Sequence, residues 1–440
     1  MTTNYQPGKK ILFDDSVMKD ITQLIKYHCR DVLHHAGLSP PQKGSFNMVI
    51  RLRLTSTSAI IRFPIPGYSV FPDEKVTREV SVMRFLERHM GIRIPHVLHH
   101  GCIENPALGP YIIMEYIDHN ADLVDELNTP GLPDEDRPVL DPNVNEDRLR
   151  SVYNQMAGLL LQVSKRSFTR IGCISNAAED EFDDEWVVKH RPLSINMNEL
   201  VQVGGVTNED LPAMMETFET TEGYFLALAE LHMTHLSSQR NDAVDDAQDC
   251  RTKYIARWTL CWVGQEGVFK LFCDDLRPAN MLANSDFGYK ISGAIDWEFT
   301  YAAPLKFVYS PPCWLLLERP EYWANGINGW ERLYEARLEV FLQELRMRED
   351  VDIQRGVIGE ENRLSGHMRE SWDNGGFWAF DIVYWERIDR KFFGEGSLED
   401  RIGLLTVEER DGMEAFVQRK LAEKGAYQGS SNPRQEYING

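Results

Sequence analysis

The sequence predicts an α+β protein in which a small β-rich unit precedes a larger, mainly helical one. Three observations predict it. Val49, Arg51 and Arg53 alternate with Ile50, Leu52 and Leu54, and a short polar turn, TSTS, leads into AIIRFP, so this stretch reads as a hairpin of two strands. GPYIIMEYI is a continuous apolar run suited to a buried strand. Beyond residue 118 the character changes, and from 313 to 423 helical periodicity dominates. The expected units are an N-terminal helical extension at 1–40, a β-rich lobe at 41–118, a helical lobe at 119–425 and a frayed tail at 426–440, with a hinge near Glu115 to Asn120.

Taken in order, residues 14–36 read as a helix, with Asp14 and Asp15 offering a cap, apolar residues at Val17, Ile21, Ile25 and Cys29, and Pro40 and Pro41 beyond its end. After the hairpin, residues 73–90 repeat Val76, Val80, Met83 and Leu86 at helical spacing, with Gly91 as a stop. Pro95 opens a strand-like segment. Residues 128–145 are rich in Pro, Asp and Asn and form a loop. A long helix follows from about Glu146 to Lys165, DDEWVVKH is a strand candidate, and 220–236 is another helix. Residues 268–296 hold two short strands around a turn at Asn284–Gly288.

Composition narrows the function. Hydrophobic residues make up 42% and charged residues 26%, an ordinary globular balance. The formal net charge of −21 argues against nucleic acid, whose binding needs a basic surface. It fits a solvated acidic surface, or an acidic pocket for a cationic substrate. No apolar run reaches the ~20 residues a membrane span needs, and the N-terminus lacks a signal-peptide core, so the expectation is a soluble, cytoplasmic protein with no membrane partner. Seven cysteines without a C-x-x-C pair fit reduced thiols. Oligomeric state is not written in the sequence.

The chemistry gathers in FCDDLRPANMLAN and the AIDWE that follows it. Pro278 between Asp275 and Asn280 forbids a regular helix and makes a tight loop. MLA and YKISGAI then form a hairpin, which returns Asp296 towards Asn280. One loop carboxylate, one amide oxygen and one strand-end carboxylate suit phosphoryl transfer. Asn280 and Asp296 supply oxygen ligands for magnesium, and Asp275 can accept the proton of an attacking hydroxyl. Kinases show the same Asp-to-Asn spacing and a later metal-binding Asp. The plain alternative is a capped loop of ordinary turn residues.

CDDLRPANML and IDWE resemble the H-G-D-L-x-P-x-N and I-D-[WF]-[ED] signature of aminoglycoside phosphotransferase and choline-kinase-like proteins. IDWEFTYAAP and SPPCWLLLERPEYW look like a fungal branch of that family, and the resemblance spans roughly residues 40 to 325. It implies a bilobal protein-kinase-like fold, ATP and magnesium as cofactors, and transfer of a γ-phosphoryl group to a small-molecule hydroxyl. Position by position it implies Asp275 as catalytic aspartate and Asn280 and Asp296 as metal ligands. Arg62 falls where the family has its phosphate-binding lysine, and Glu79 where a helix glutamate pairs with that lysine. Gly44 and Ser45, in the stretch 44–47, match the loop over the phosphates. Met114 to Ile117, with Glu115 and Ile117, match the adenine hinge.

The chain departs from the pattern at Cys273 for the motif histidine, Asp274 for its glycine and Arg62 for its lysine. Lys75 and Arg53 are the nearest alternative cations, but neither alternates onto the strand position as well as Arg62. These departures keep a second reading open, a nucleotide-binding pseudokinase or scaffold of the same fold. Plain readings stand beside Arg62 as a strand-edge arginine, Glu79 as a solvated helix face and Gly44 as a turn glycine. His232 and His235 lack the H-E-x-x-H pattern of a zinc protease and read as structural. The aromatic residues from Trp314 to Trp385 read as helical core, or as the wall of a pocket for an aromatic or quaternary-ammonium ligand.

Overall fold

A computed structural model describes residues 19, 21–24, 27, 37–53, 58–102, 109–133, 136–177, 185–239, 243–259, 267–380, 398–403 and 405–428. Most of the expected 14–36 helix, and the tail beyond 428, lie outside the described residues. Within that first stretch residues 21–24 are helical, and Ile21 is buried against the sheet core.

The N-terminal region is one six-stranded antiparallel sheet in the order β1-β3-β4-β6-β5, with β2 on the edge of β3. Its strands are β1 (Gly37–Leu38), β2 (Gln42–Lys43), β3 (Asn47–Arg53), β4 (Ser58–Pro64), β5 (Val97–Cys102) and β6 (Pro110–Glu115). The hairpin expected from alternation is present, with Val49 opposite Arg62 and Ile50 opposite Ile61. Ile50, Leu52, Ile61 and Ile113 are buried on one face and form a core with Phe63 and Tyr111.

Between β4 and β5 runs helix α1 (Pro72–His89). Pro72 sits at its start, where a missing N–H costs nothing, and Asp73 and Glu74 face the positive end of the helix dipole. Its buried stripe mixes Val76, Val80 and Met83 with Glu74, Lys75, Arg78 and Glu79. Charged groups are rarely buried on a helix unless paired. α1 therefore does more than pack.

The remainder is mainly helical. β7 (Ala121–Asp122) leads to α2 (Glu146–Val163), whose N-cap Asn145 accepts from the N–H groups of Asp147 (2.9 Å) and Arg148 (3.1 Å). Such a cap is worth about 1 kcal/mol. Then come β8 (Ser167–Phe168), β9 (Cys173–Asn176), β10 (Trp186–His190), α3 (Ile195–Val203), α4 (Thr221–Ser238) and α5 (Ala247–Thr259). β11 (Phe269–Cys273), β12 (Met281–Asn284), β13 (Lys290–Ala294) and β14 (Thr300–Pro304) follow, and then α6 (Gly326–Gln354), α7 (Leu364–Asp373), α8 (Leu398–Ile402) and α9 (Val407–Gln428). α6 packs along α2, burying Tyr334, Leu338, Phe341 and Leu345.

Two three-stranded sheets position the site. One has β11 between β14 and β8, the other β12 between β13 and β7. Strand β14 was not expected from its sequence, TYAAP. Every residue of it is buried, so it shows no two-faced alternation, and its pairing with β11 decides its form. Of the later aromatic residues, Trp314, Trp330, Trp372, Phe377 and Trp378 are buried, and the Trp330 ring stacks on Tyr334 at 4.3 Å and lies 6.1 Å from Phe377; Tyr322 is exposed, and Tyr384 and Trp385 lie outside the described residues. His232 is buried, and burial pulls its imidazole well below the usual range, so it stays neutral. Among the described residues no helix is long and apolar enough to cross a membrane, and Cys173, Cys250, Cys273 and Cys313 stand outside any disulfide.

Candidate active site

The expected loop follows β11. Cys273 ends that strand, Asp274 and Asp275 turn, and a 3-10 turn at Pro278–Asn280 leads straight into β12. Asn280 Nδ2 donates to the Asp275 backbone carbonyl (2.7 Å) and to Asp275 Oδ2 (3.2 Å). Arg277 Nε lies 3.0 Å from Asp275 Oδ1. Burial raises the Asp275 carboxyl above its ordinary range; Arg277 opposes that shift and the Asp296 charge adds to it.

The β12–β13 hairpin brings the second half of the motif back. Met281 pairs with Ala294, and the Ile295 N–H donates to the Asn280 carbonyl at 3.0 Å, which extends the ladder by one rung. Asp296 therefore leaves the ladder beside Asn280, as the hairpin argument predicts. Its φ of 65° lies in the left-handed region, and Phe299 follows at 57°. Aspartate tolerates that conformation better than most residues, and such backbone gathers at functional sites.

Arg62, on β4, joins the sheet to this loop. Its guanidinium pairs with Glu79 of α1 through one nitrogen and reaches Asp296 Oδ1 at 3.0 Å through the other. The Arg62 and Glu79 side chains are 9% and 1% exposed, too little for either to be a surface charge. Burial by itself would depress the guanidinium; Glu79, Asp296 and Glu298 outweigh it and hold the pKa above the usual arginine value.

A second buried cluster adjoins the first, and sequence reasoning missed it. Lys75 Nζ pairs with Glu298 and bonds Asn47 Oδ1 at 3.2 Å, while Asn47 Nδ2 donates to Glu298 Oε2 at 2.9 Å. Lys75 does not replace Arg62; it adds a second cation, paired with Glu298 two residues after Asp296 in sequence. The available signal was the i,i+4 spacing of Lys75 and Glu79, which puts both on one helix face. Burial raises the Glu298 carboxyl, Asp296 adds to the shift, and Lys75 opposes it.

The other expected residues fall around this centre. Gly44 and Ser45 are exposed on a turn closed by Gly44 N–H to the Asn47 carbonyl at 2.8 Å. Asn47 starts β3, and its side chain belongs to the Lys75 cluster rather than to an open loop. Phe46 packs edge-on against Phe299 at 5.5 Å, tying the turn to the segment after Asp296. Glu115 ends β6; its carboxylate pairs with Arg93 and its N–H donates to the His96 carbonyl at 2.9 Å. Ile117 is buried, and its carbonyl bonds His119 Nδ1 at 2.8 Å, while its N–H meets no acceptor among the described residues.

The two motif departures have structural partners. Cys273 Sγ is buried 3.8 Å from the Glu298 carbonyl, and burial lifts its thiol far above the usual range, so it is inert. Asp274 Oδ2 accepts from the Ile195 N–H at the start of α3 (2.8 Å), and Tyr301 Oη reaches Oδ1 at 3.3 Å. Burial pushes the Asp274 carboxyl up to about 7 against those two hydrogen bonds.

As a donor set for magnesium, Asn280 and Asp296 offer two hard oxygens on neighbouring strand ends. Magnesium bound by one or two side chains plus phosphates and water matches that number. Among the described residues no cluster of three His, Cys, Asp or Glu forms a metal cage.

No family model matches the chain. A curated relative, Altered inheritance of mitochondria protein 9, mitochondrial, from Debaryomyces hansenii, is 21% identical over 319 residues, covering 62% of this chain. The match spans about half of that relative's length, 48%. Among solved structures the chain is similar to a thermostable aminoglycoside phosphotransferase mutant in a ternary complex with AMP-PNP and hygromycin B, at 17% identity and a TM-score of 0.43, over 86% of this chain and 99% of the other. It is also similar to Plasmodium vivax ethanolamine kinase, at 11% identity and a TM-score of 0.43, over 97% and 95% of the two chains.

Proposed function

We propose that the chain is an ATP- and magnesium-dependent phosphotransferase acting on the hydroxyl of a small molecule. One observation carries the reading: Arg62 bonds Glu79 and Asp296 at once, at the loop where Asn280 holds Asp275. A phosphate-binding cation, its helix partner, a metal-ligating aspartate and an aspartate base thus meet at one centre.

In this reading adenine bonds the backbone near Glu115 and Ile117, where the Ile117 N–H stands unused among the described residues. The turn at Gly44 and Ser45 covers the phosphates. Arg62, held in orientation by Glu79, supplies the positive charge that meets the phosphate oxygens. Asn280 and Asp296 hold magnesium, which when bound neutralises charge on the β- and γ-phosphates. Asp275, oriented by Asn280 and Arg277, takes the acceptor's proton. The acceptor oxygen then bonds to the γ-phosphorus as the bond to the β-bridging oxygen breaks, ADP leaves, and the proton passes to solvent. Positioning and charge supply most of the acceleration. We place the protein in the cytoplasm, in keeping with those cysteines outside any disulfide.

The test is ADP release across a panel of alcohols with ATP and magnesium, using Asp275→Asn and Asp296→Ala as controls. Turnover unchanged in both variants would exclude this centre. The Arg62–Asp296 bond favours a second reading, because it engages a proposed metal ligand with a protein cation: a nucleotide-binding pseudokinase or scaffold. A thermal-shift titration with ATP, with and without magnesium, separates the two. A shift without turnover on any acceptor selects the binding module.

A further inference from the structure

Behind the loop that carries Asp275 lies a cavity of about 340 Å³. Asp274 and Leu276 form part of its wall, on either side of Asp275 in sequence. The volume is at the small end of ligand sites.

Most of the lining is apolar. Tyr224, Tyr301, Phe307, Trp314 and Phe377 contribute rings, and Leu228, Leu271, Leu364 and Met368 fill between them. Along these apolar stretches a ligand rich in hydroxyls would lose hydration. An apolar body, by contrast, gains from burial at roughly 25 cal/mol per Å².

The polar groups in the wall are unbalanced in charge. Asp274, Glu199 and Glu321 are carboxylates, and Arg319 is the cation among the lining residues, 3.8 Å from Glu321. Burial raises Glu199 above its ordinary range, with Arg319 opposing. Arg319 acts on Asp274 and Glu199 as well as on Glu321, so three carboxylates share one arginine and the wall keeps an excess of negative charge facing an apolar space. Asp274 is fixed in place from both sides, by the Ile195 N–H and by a hydroxyl chain in which Tyr224 Oη lies 3.4 Å from Tyr301 Oη. Its position is where the resembled motif has glycine, so the carboxylate belongs to this chain's own chemistry.

We infer that this cavity binds an amphipathic amine: one cationic nitrogen at Asp274 and Glu199, and a compact apolar body among the rings of Tyr224, Tyr301, Phe307 and Trp314. That the bound molecule also carries the accepting hydroxyl rests on the phosphotransferase reading; that it binds does not. The assignment separates this chain's ligand from sugar-like polyamines, which are too polar, and from the smallest amino alcohols, which leave the apolar wall uncovered.

The test uses the full chain and isothermal titration with three probes: 4-phenylbutylamine, its neutral counterpart 4-phenylbutan-1-ol, and ethanolamine. The amine should bind at least about tenfold more tightly than either of the others, a difference of ~1.4 kcal/mol. Asp274→Asn should erase the preference for the amine over the alcohol while the variant keeps a cooperative melting transition. Glu199→Gln, more distant from the loop, should weaken the amine and not the alcohol. Equal affinity for amine and alcohol would overturn the cationic assignment, and equal affinity for ethanolamine would overturn the apolar one. No binding by any probe overturns both. Amine binding with no ADP release across the alcohol panel leaves this inference standing and removes the phosphotransferase reading; ADP release on that panel without amine binding does the reverse.

Discussion

Lys75 and Glu298 form a buried ion pair that joins α1 to the segment two residues beyond Asp296, with side chains 2% and 1% exposed. Asn47 completes it from the first residue of β3. Three elements distant in sequence meet in one polar knot, beside the Arg62 pair. Removing one partner of a buried pair strands the other charge, at a cost of about 3–5 kcal/mol. Lys75→Met should therefore destabilise the protein by that order in urea denaturation. The double variant Lys75→Met with Glu298→Leu should recover part of the loss, because both charges then leave together. A double variant as unstable as the sum of the two singles would show that the pair is not coupled.

Asp275 has two orienting partners and a carboxyl lifted by burial, which suits proton acceptance. Asp275→Asn keeps the shape and removes the basic oxygen. Turnover should fall by about 10²–10⁴-fold, the usual contribution of a positioned acid or base. ATP affinity, read by thermal shift, should stay within a few-fold. A variant that turns over at the parent rate would remove Asp275 from the chemistry.

Arg62 tests shape against charge. It bonds Glu79 and Asp296 in different directions, a task for a forked cation. Arg62→Lys keeps the charge but reaches both carboxylates poorly, so ATP affinity should fall. Arg62→Ala leaves Glu79 buried and unpaired and should lower the melting temperature more than the lysine variant does. If alanine and lysine melt alike, the ion pair with Glu79 contributes nothing to stability.

Asp274 sets an expected pH dependence. Its folded pKa, about 7, lies above the ordinary aspartate value of 3.8, so across that interval the folded state binds more protons than the unfolded one. Stability from this group therefore falls as pH rises from about 4 to about 7, and the loss is complete above. Asp274→Asn keeps an acceptor for the Ile195 N–H without the titrating proton. Its melting temperature should gain on the parent as pH rises from 5 to 8. A constant difference between the two across that range would contradict the buried, raised carboxyl.

Much of this centre is legible in the chain itself. Pro278 between Asp275 and Asn280 dictates a tight turn, and the strand pattern after it dictates a hairpin; the Ile295 to Asn280 hydrogen bond is the physical outcome. Alternation in β3 and β4 fixes which residues face the core, because a side-chain period of two leaves one choice of face. Helix α1 is equally plain in its apolar spacing. These are local properties, decided within a turn or a hairpin.

What lay beyond the sequence required elements far apart in the chain to meet. The partners of Lys75 are 28 residues back and 223 ahead, and no local pattern names either. Strand β14 carries no alternation because both its faces are covered, so its form depends on β11 beside it. Asp274 reads in sequence as one extra charge beside a base; its anchorage on α3 and its place in a cavity wall follow from packing across 79 residues. Sequence determined the local geometry of the motif, since steric limits and periodicity act over a few residues. Tertiary structure decided which charges are buried and with whom, since the low dielectric that makes such pairs matter exists only once the layers have closed.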